Sequence, residues 1–229
     1  MGEDDARTGT RARMADATRA EILAAALAEF AENGLSGARV DAIAARTQTS
    51  KRMIYYYFGS KDGLYLAVLE EAYRQMRTAD AEICVEGLDP AAAMARIVEA
   101  TFDYQDAHPD FIRLVCIENI HRARHLAGSP NIARQNLAII RHLDEVLRRG
   151  RAAGVFHRDI SAVDLHLVIS SLVFFRMSNA HTFGTLFGID LGAAETKARH
   201  RRMVTELVLN MLTTAQDAAA APPPVQRRG

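Results

Sequence analysis

The fold is decided by residues 34–66, which read GLSGARVDAIAARTQTSKRMIYYYFGSKDGLYL. The spacing of apolar residues in this stretch predicts two short helices, Val40 to Thr47 and Lys51 to Tyr57. Residues 48–50 form a tight connection between them, and Ser50 has the side chain of a helix N-cap. This is the spacing of a helix-turn-helix, a motif that places its second helix in the major groove of DNA.

The second of these helices is expected to present a basic and aromatic face. Ile54 and Phe58 are four residues apart, so they share the side that packs inward. The outward side then carries hydrogen-bond donors and an aromatic ring: Lys51, Arg52, Met53 and Tyr56.

The charge of this segment differs from that of the whole chain. The chain has 28 basic and 28 acidic residues, which excludes a nucleic-acid binder that is basic throughout. Residues 42–61 nevertheless contain four cations and no acid: Arg46, Lys51, Arg52 and Lys61. A local charge of about +4 predicts phosphate contacts and a steep salt dependence of DNA binding.

Residues 16–70, about a quarter of the chain, resemble the DNA-binding domain of the TetR family of bacterial transcriptional regulators. The most specific part is the pattern Tyr-x-x-Phe-x-x-Lys at Tyr55, Phe58 and Lys61, directly after the helix-turn-helix. Other matching positions are Gly34, residues 40–44, Ser50, residues 54–58, Leu64 and Tyr65. The all-helical pattern and the chain length also fit this family.

The resemblance implies that Lys51, Arg52 and Met53 face base edges and that Tyr56 contacts a sugar, a thymine methyl group or a phosphate. It further implies backbone contacts to DNA from Tyr55, Tyr57 and Lys61. Tyr55 could instead be only a structural aromatic, and the Lys51-Arg52 pair, taken alone, could be an ordinary solvated surface.

Two positions depart from the pattern of the family. Gln48 stands where the turn usually has glycine, so the turn is strained if that residue has a positive φ. Ala38 and Arg39 stand where a phosphate-binding threonine is usual, and Arg39 could replace that contact.

The rest of the chain is also expected to be helical, because no segment shows sustained alternation of period two. We expect a flexible arm over 1–15, the helix-turn-helix domain over 16–62, a helical ligand-binding and dimerisation domain over 63–217 and a disordered tail over 218–229. About nine helices are predicted: 16–33, 40–47, 51–57, 61–84, 90–107, 109–125, 130–154, 161–179 and 193–216.

Several kinds of protein are disfavoured. The two cysteines are too few for a disulfide framework, and no glycine-rich phosphate loop or nucleophile motif indicates an enzyme or a cofactor. The apolar stretch 165–175 is too short to span a bilayer, so a cytoplasmic protein without a membrane partner is expected. Glu118, His121 and His125 could bind a metal on one predicted helix, a distant alternative to the regulator.

A small-molecule effector is expected in the C-terminal domain. A set of aromatic, histidine and other polar residues there could line its pocket, or could be ordinary core and surface groups. These candidates suit an aromatic or carboxylated metabolite, and they are Phe102, Tyr104, Cys116, His121, His125, His166, Phe174, Phe175, Arg176 and Asn179.

The last two long helices carry apolar residues at spacings of three and four: Leu165, Val168, Leu172 and Phe175, then Val204, Leu207, Val208, Met211 and Leu212. The resemblance implies that these helices form a four-helix interface in a homodimer, which would bind a palindromic operator. The resulting hypothesis is a repressor released from DNA by a small ligand. A regulator without a ligand, or an activator, remains open.

Overall fold

The computed structural model describes residues 3–215, without the side chains of residues 3–12, 133, 135 and 136. This part of the chain forms ten α-helices, a 3-10 turn (Leu126–Gly128) and no strand, which confirms the all-α prediction. The helices are α1 (Glu3–Gly37), α2 (Val40–Arg46), α3 (Lys51–Phe58), α4 (Lys61–Ala81), α5 (Pro90–Ala107), α6 (Pro109–Ile120), α7 (Pro130–Ala152), α8 (Ala162–Ser178), α9 (Ala180–Phe187) and α10 (Ala194–Thr213). The short helix α9 is the one that the sequence analysis did not predict.

The first helix is longer at both ends than predicted. α1 begins at Glu3, so helical backbone covers residues 3–15 of the expected flexible arm. Gly34 has a φ of 68° and kinks the backbone where the helix was expected to end, and helical backbone resumes through Gly37. The tail predicted for 218–229 lies outside the described residues.

The helix-turn-helix rests on a hydrophobic cluster formed by α1–α4 and part of the C-terminal half. The rings of Phe30 in α1 and Tyr65 in α4 meet edge to face, with centroids 5.0 Å apart. Leu114 of α6 and Ile132 of α7 belong to the same cluster. This first hydrophobic cluster therefore extends across the domain boundary expected at residue 62.

The long helix α4 joins the two halves of the chain. Ser60 caps it, as predicted, because its hydroxyl oxygen accepts the backbone N–H of Gly63 at 2.9 Å. A Cβ atom at residue 63 would lie 2.2 Å from the carbonyl oxygen of Phe58, so this close turn requires glycine. α4 ends at Ala81, before the predicted end at Cys84, and it packs against α1, α5 and α7.

A second hydrophobic cluster lies among α5, α7, α8 and α10, with Phe102, Leu147, Leu165 and Val208 among its buried residues. The start of α7 ties this half to α4, since the hydroxyl of Ser129 donates to Glu70 at 2.6 Å.

α6 ends at Ile120, not at residue 125 as predicted. Arg122 and Ala123 follow with φ values of 58° and 56°, which residues with a Cβ adopt only at an energetic cost. The buried carboxylate of Glu118 stabilises this turn by accepting the backbone N–H groups of His125 at 3.3 Å and Leu126 at 3.2 Å.

Candidate nucleic-acid interface and ligand cavity

The turn between α2 and α3 has the geometry that the sequence suggested. Gln48 has a φ of 50°, so the residue in the usual place of glycine does adopt a positive φ. Ser50 caps α3 by accepting the backbone N–H of Met53 at 3.1 Å. Ile54 is 1% exposed and anchors α3 in the core, whereas Phe58 is half-buried beneath the guanidinium of Arg19.

The outward face of α3 combines positive charge with aromatic rings. Lys51, Arg52, Met53, Tyr55 and Tyr56 are all exposed, and Tyr56 is the most exposed of the tyrosines at 79%. Tyr57 is half-buried, and its ring packs edge to face on that of Tyr56 with centroids 5.6 Å apart. The side chains expected to contact bases therefore share one accessible surface.

The positive charge of this surface is smaller than the sequence count suggested. The Nζ atom of Lys51 lies 3.1 Å from a carboxylate oxygen of Asp41, which precedes the segment that was counted. Arg46 pairs with Glu29 of α1 at 3.3 Å. In the part of the chain that the structure describes, Arg52 has no ion-pair partner, which leaves its guanidinium available for an external acceptor.

Lys61 and Arg39 lie beside this surface and have structural contacts of their own. The Nζ atom of Lys61 donates to the carbonyl oxygen of Ser36 at 3.2 Å and so ties the start of α4 to the end of α1. The exposed residue Arg39 is the N-cap of α2, and its backbone N–H donates to Glu29 at 3.0 Å.

A cavity of about 450 Å³ lies in the C-terminal half. Its walls come from five helices, α4–α8, and three of the ten residues predicted for the ligand site line it: Tyr104, His166 and Phe174. The other lining residues were not predicted from the sequence: Tyr73, Met76, Arg77, Asp80, Thr101, Gln105, Phe111, Val115, Asn119, Ile139, Leu167, Ser170 and Ser171.

Burial changes the proton affinity of the polar groups in this cavity. It raises the pKa of Tyr104 to about 12, with a smaller contribution from the charge of Asp80. It also raises the pKa of Asp80, although the paired Arg77 acts in the opposite direction. Burial, together with the charge of Arg77, lowers the pKa of His166 below its ordinary value.

The remaining ligand candidates lie outside the cavity. Arg176 stacks over the ring of Phe102 at 4.8 Å and pairs with Asp106 at 2.8 Å, so both candidates are buried core groups. Cys116 packs against the first hydrophobic cluster, which contains Phe30 and Tyr65, and Asn179 ends α8.

Phe175 and Arg176 instead line a smaller apolar groove of about 160 Å³ beside α9 and α10. Phe175 is 56% exposed, so it lies in neither the larger cavity nor the core.

The two histidines considered for a metal site belong to the turn after α6. The Nδ1 atom of His125 lies 2.8 Å from the carboxylate of Glu118, and its ring meets that of Tyr65 edge to face at 5.0 Å. His121 follows α6 directly, so the predicted arrangement on one helix is wrong. Among the described residues, no group of three or more His, Cys, Asp or Glu side chains could hold a metal ion.

A stripe of exposed apolar side chains runs along α8 and α10: Val163, Leu167 and Phe175, with Met203 and Leu207. It differs from the stripe suggested by the sequence, because Leu165, Val204, Val208 and Leu212 are buried in the C-terminal core. No helix within residues 3–215 is long and apolar enough to cross a membrane.

Comparisons with known proteins agree with this architecture. Residues 22–68 match the sequence model of bacterial regulatory proteins of the tetR family, and residues 90–208 match that of the tetracyclin repressor-like C-terminal domain. The chain is 35% identical over 206 residues to the HTH-type transcriptional repressor NicS of Pseudomonas putida, covering 90% of this chain and 97% of that protein.

Two further relatives come from Streptomyces coelicolor. The HTH-type transcriptional repressor SCO4008 is 35% identical over 161 residues, which cover 70% of this chain and 79% of that protein. The crystal structure of the putative transcriptional regulator SCO4942 superposes with a TM-score of 0.64 at 28% identity, covering 85% of this chain and 98% of that one.

Proposed function

The chain belongs to the TetR family of bacterial transcriptional regulators, and on that basis we propose that it is a dimeric repressor released from operator DNA by a small molecule. Residues 16–62 are the DNA-binding domain in this proposal, and residues 63–217 bind the ligand and the second subunit. The site of action is the bacterial cytoplasm, and the role is regulation, not catalysis, as the names of the curated relatives indicate.

The outward face of α3 is the main support for DNA binding in this proposal. Among the side chains that the structure describes, Arg52 offers a guanidinium without an ion-pair partner, and an arginine can form two hydrogen bonds to the edge of a guanine. Lys51 reaches DNA in this proposal by exchanging its exposed pair with Asp41 for a base or a phosphate, an exchange that costs little at a solvated surface. Met53 and Tyr56 supply apolar contacts.

The sugar-phosphate backbone is held by residues around this face. Tyr55, Tyr57, Arg39 and Lys61 border the base-contacting side chains, and Lys61 lies at the N-terminus of α4, where backbone N–H groups favour an anion. These contacts fix the orientation of α3 in the groove without contributing sequence preference.

The apolar stripe of α8 and α10 supports a dimer with two-fold symmetry. Five large apolar side chains on two adjacent helices are costly to leave in water, and a second copy of the same stripe would cover them. Such a dimer presents two copies of α3 to DNA, and half-sites about 34–36 Å apart would match it.

Ligand release follows from the position of the cavity. Its walls include α4, which begins at the DNA-binding domain, and Asn119 of α6, which adjoins Glu118. Glu118 in turn holds the His125 turn against Tyr65 in the first turns of α4. A ligand that prefers a shifted arrangement of α4 and α6 would lower the affinity for the operator.

Fluorescence anisotropy with DNA from upstream of the chain's own gene tests this proposal, with a scrambled duplex as the control. We expect at least ~10³-fold tighter binding to the specific DNA and a steep loss of affinity with rising salt. If that DNA shows no preference, selection from sheared genomic DNA identifies the operator. Absence of any preferred fragment in that selection would overturn the proposal.

A further inference from the structure

Several polar side chains of the 450 Å³ cavity already have partners within the protein. The hydroxyl of Thr101 donates to the carbonyl oxygen of Ile97 at 2.9 Å, and that of Ser171 donates to Leu167 at 2.7 Å. The side-chain amide of Asn119 donates to the carbonyl oxygen of Val115 at 2.9 Å. These donors are engaged within their own helices.

Two buried polar atoms of the lining differ from the others. The Oε1 atom of Gln105 on α5 and the Nε atom of Arg77 on α4 have no hydrogen-bond partner among the described residues. Gln105 is 6% exposed, and the side chain of Arg77 is 10% exposed. Both atoms are covered by neighbouring protein atoms, so a molecule in the cavity reaches them only when the two side chains turn toward it. Buried polar groups are nearly always paired, and one acceptor and one donor on adjacent walls favour a molecule that pairs with both.

The charges of the cavity are balanced without a ligand. The guanidinium of Arg77 is paired with the carboxylate of Asp80 one turn further along α4. His166 has a lowered pKa and is therefore neutral near pH 7, and Tyr104, with a pKa of about 12, keeps its proton. An anionic ligand could also accept from Nε of Arg77, but it would add an uncompensated negative charge beside a guanidinium that Asp80 already neutralises, which disfavours it.

The remaining walls favour a flat molecule. Tyr73 and Phe111 meet edge to face with centroids 5.3 Å apart, and Tyr104 lies 6.5 Å from Phe111. Phe174 contributes a further ring from α8. Aromatic side chains at such angles offer both faces and edges to a planar ring system.

We propose that this cavity binds an uncharged, planar aromatic molecule that carries an amide or lactam group. The N–H of that group donates to Oε1 of Gln105, and its carbonyl oxygen accepts from Nε of Arg77. The inference rests on the proposed function in one respect, that the cavity is the effector site. The sequence suggested an aromatic or a carboxylated metabolite, and the cavity favours an aromatic molecule without a carboxylate.

Isothermal titration calorimetry of the full chain with three matched probes tests the ligand class. 2-Naphthamide has both a donor and an acceptor, 2-acetonaphthone has the acceptor alone, and 2-naphthoate is an anion of nearly the same shape. We expect 2-naphthamide to bind at least tenfold more tightly than either of the others at pH 7.5. Equal or tighter binding of 2-naphthoate, or no binding of any probe, would overturn the inference.

Gln105→Leu separates hydrogen bonding from shape. The substitution should weaken the binding of 2-naphthamide at least tenfold. It should leave the affinity for 2-acetonaphthone unchanged, because that probe has no N–H group that could donate to Gln105. Thr205→Val, which alters a buried polar residue of α10 outside the cavity lining, should change neither affinity. If Gln105→Leu lost the same factor of affinity for both probes, the result would contradict the assigned hydrogen bond.

The same probes, added to the complex with operator DNA, keep this inference distinct from the proposed function. Selective binding of 2-naphthamide without release of DNA would support the proposed ligand class and would exclude only the role of the cavity as the effector site. Release by 2-naphthoate at lower concentration than by 2-naphthamide counts against the ligand class while retaining the repressor.

Discussion

The carboxylate of Glu29 accepts the backbone N–H of Arg39 at 3.0 Å, across the junction between α1 and α2. Arg39 begins α2 without a side-chain cap of its own, so the buried carboxylate of α1 performs the capping role. The same carboxylate pairs with Arg46 at the other end of α2, at 3.3 Å. One side chain thereby fixes both ends of the first helix of the helix-turn-helix.

Glu29→Ala should therefore destabilise the chain. It leaves a backbone donor unpaired at the start of α2, and such a loss typically lowers the free energy of unfolding by about 1–3 kcal/mol. Urea denaturation followed by circular dichroism measures the change. Glu32→Ala is the matched control, because the exposed Glu32 lies 3.9 Å from the same Arg46 and should contribute less than about 0.5 kcal/mol. Equal losses in the two variants would rule out the capping role.

Local signals in the sequence were sufficient for the helix-turn-helix. Ser50 and Ser60 are caps in the structure, Ile54 is buried, and the outward side of α3 carries the expected side chains. Each of these features depends on residues three or four positions apart, which the sequence displays directly.

Features that depend on packing between distant helices were not accessible in the same way. α8 is apolar on nearly every side, so its periodicity could not distinguish the buried Leu165 from the exposed Leu167. The end of α6 depends on Glu118 binding a segment beyond it. On α5 the predicted candidate Tyr104 does line the cavity, and Gln105, three residues after the buried Phe102, was a further sign that the apolar face of this helix borders a cavity.

Arg52→Ala should reduce affinity for the operator while changing affinity for scrambled DNA little. The loss of a base contact costs about 1–3 kcal/mol, which corresponds to a factor of roughly 5 to 150. Anisotropy titrations at constant salt measure both affinities. Arg202→Ala removes the same charge from an exposed position on α10 and should leave the preference intact. A uniform loss on both DNAs would show that Arg52 contacts phosphate and not a base.

Gln48→Gly should stabilise the turn between α2 and α3. A residue with a Cβ pays about 1 kcal/mol for a positive φ that glycine adopts freely, and Gln48 has a φ of 50°. Chemical denaturation should show a gain of about this size. Gln48→Ala retains the Cβ and should not raise the free energy of unfolding. Similar stabilisation by both substitutions would show that the positive φ does not strain residue 48.

Leu207→Glu should convert the proposed dimer into monomers. Leu207 is 50% exposed on α10, and a carboxylate there would be buried without a partner when two copies of the stripe meet. Sedimentation velocity measures the mass, and operator affinity should fall with it. Ile120→Glu places the same charge at an exposed apolar residue at the end of α6 and should remain dimeric. A dimeric Leu207→Glu variant would exclude this face as the interface.

His166→Gln should flatten the dependence of stability on pH between pH 7.5 and 5.5. The unfolded histidine takes up its proton near pH 6.5, whereas burial beside Arg77 lowers the pKa of the folded one. Below pH 6.5 the unfolded state therefore binds more protons, so stability falls as the pH falls and is fully recovered above that value.

Thermal denaturation of both proteins across this range gives the test, because Gln cannot take up the proton. His181→Gln, at an exposed position of α9, serves as the control for the loss of a histidine and should follow the wild-type curve. Asp80 and His200 have shifted pKa values of their own, but both persist in every variant, so only the difference between curves measures His166. Parallel curves for wild type and His166→Gln would mean that His166 is as accessible to protons in the folded chain as in the unfolded one.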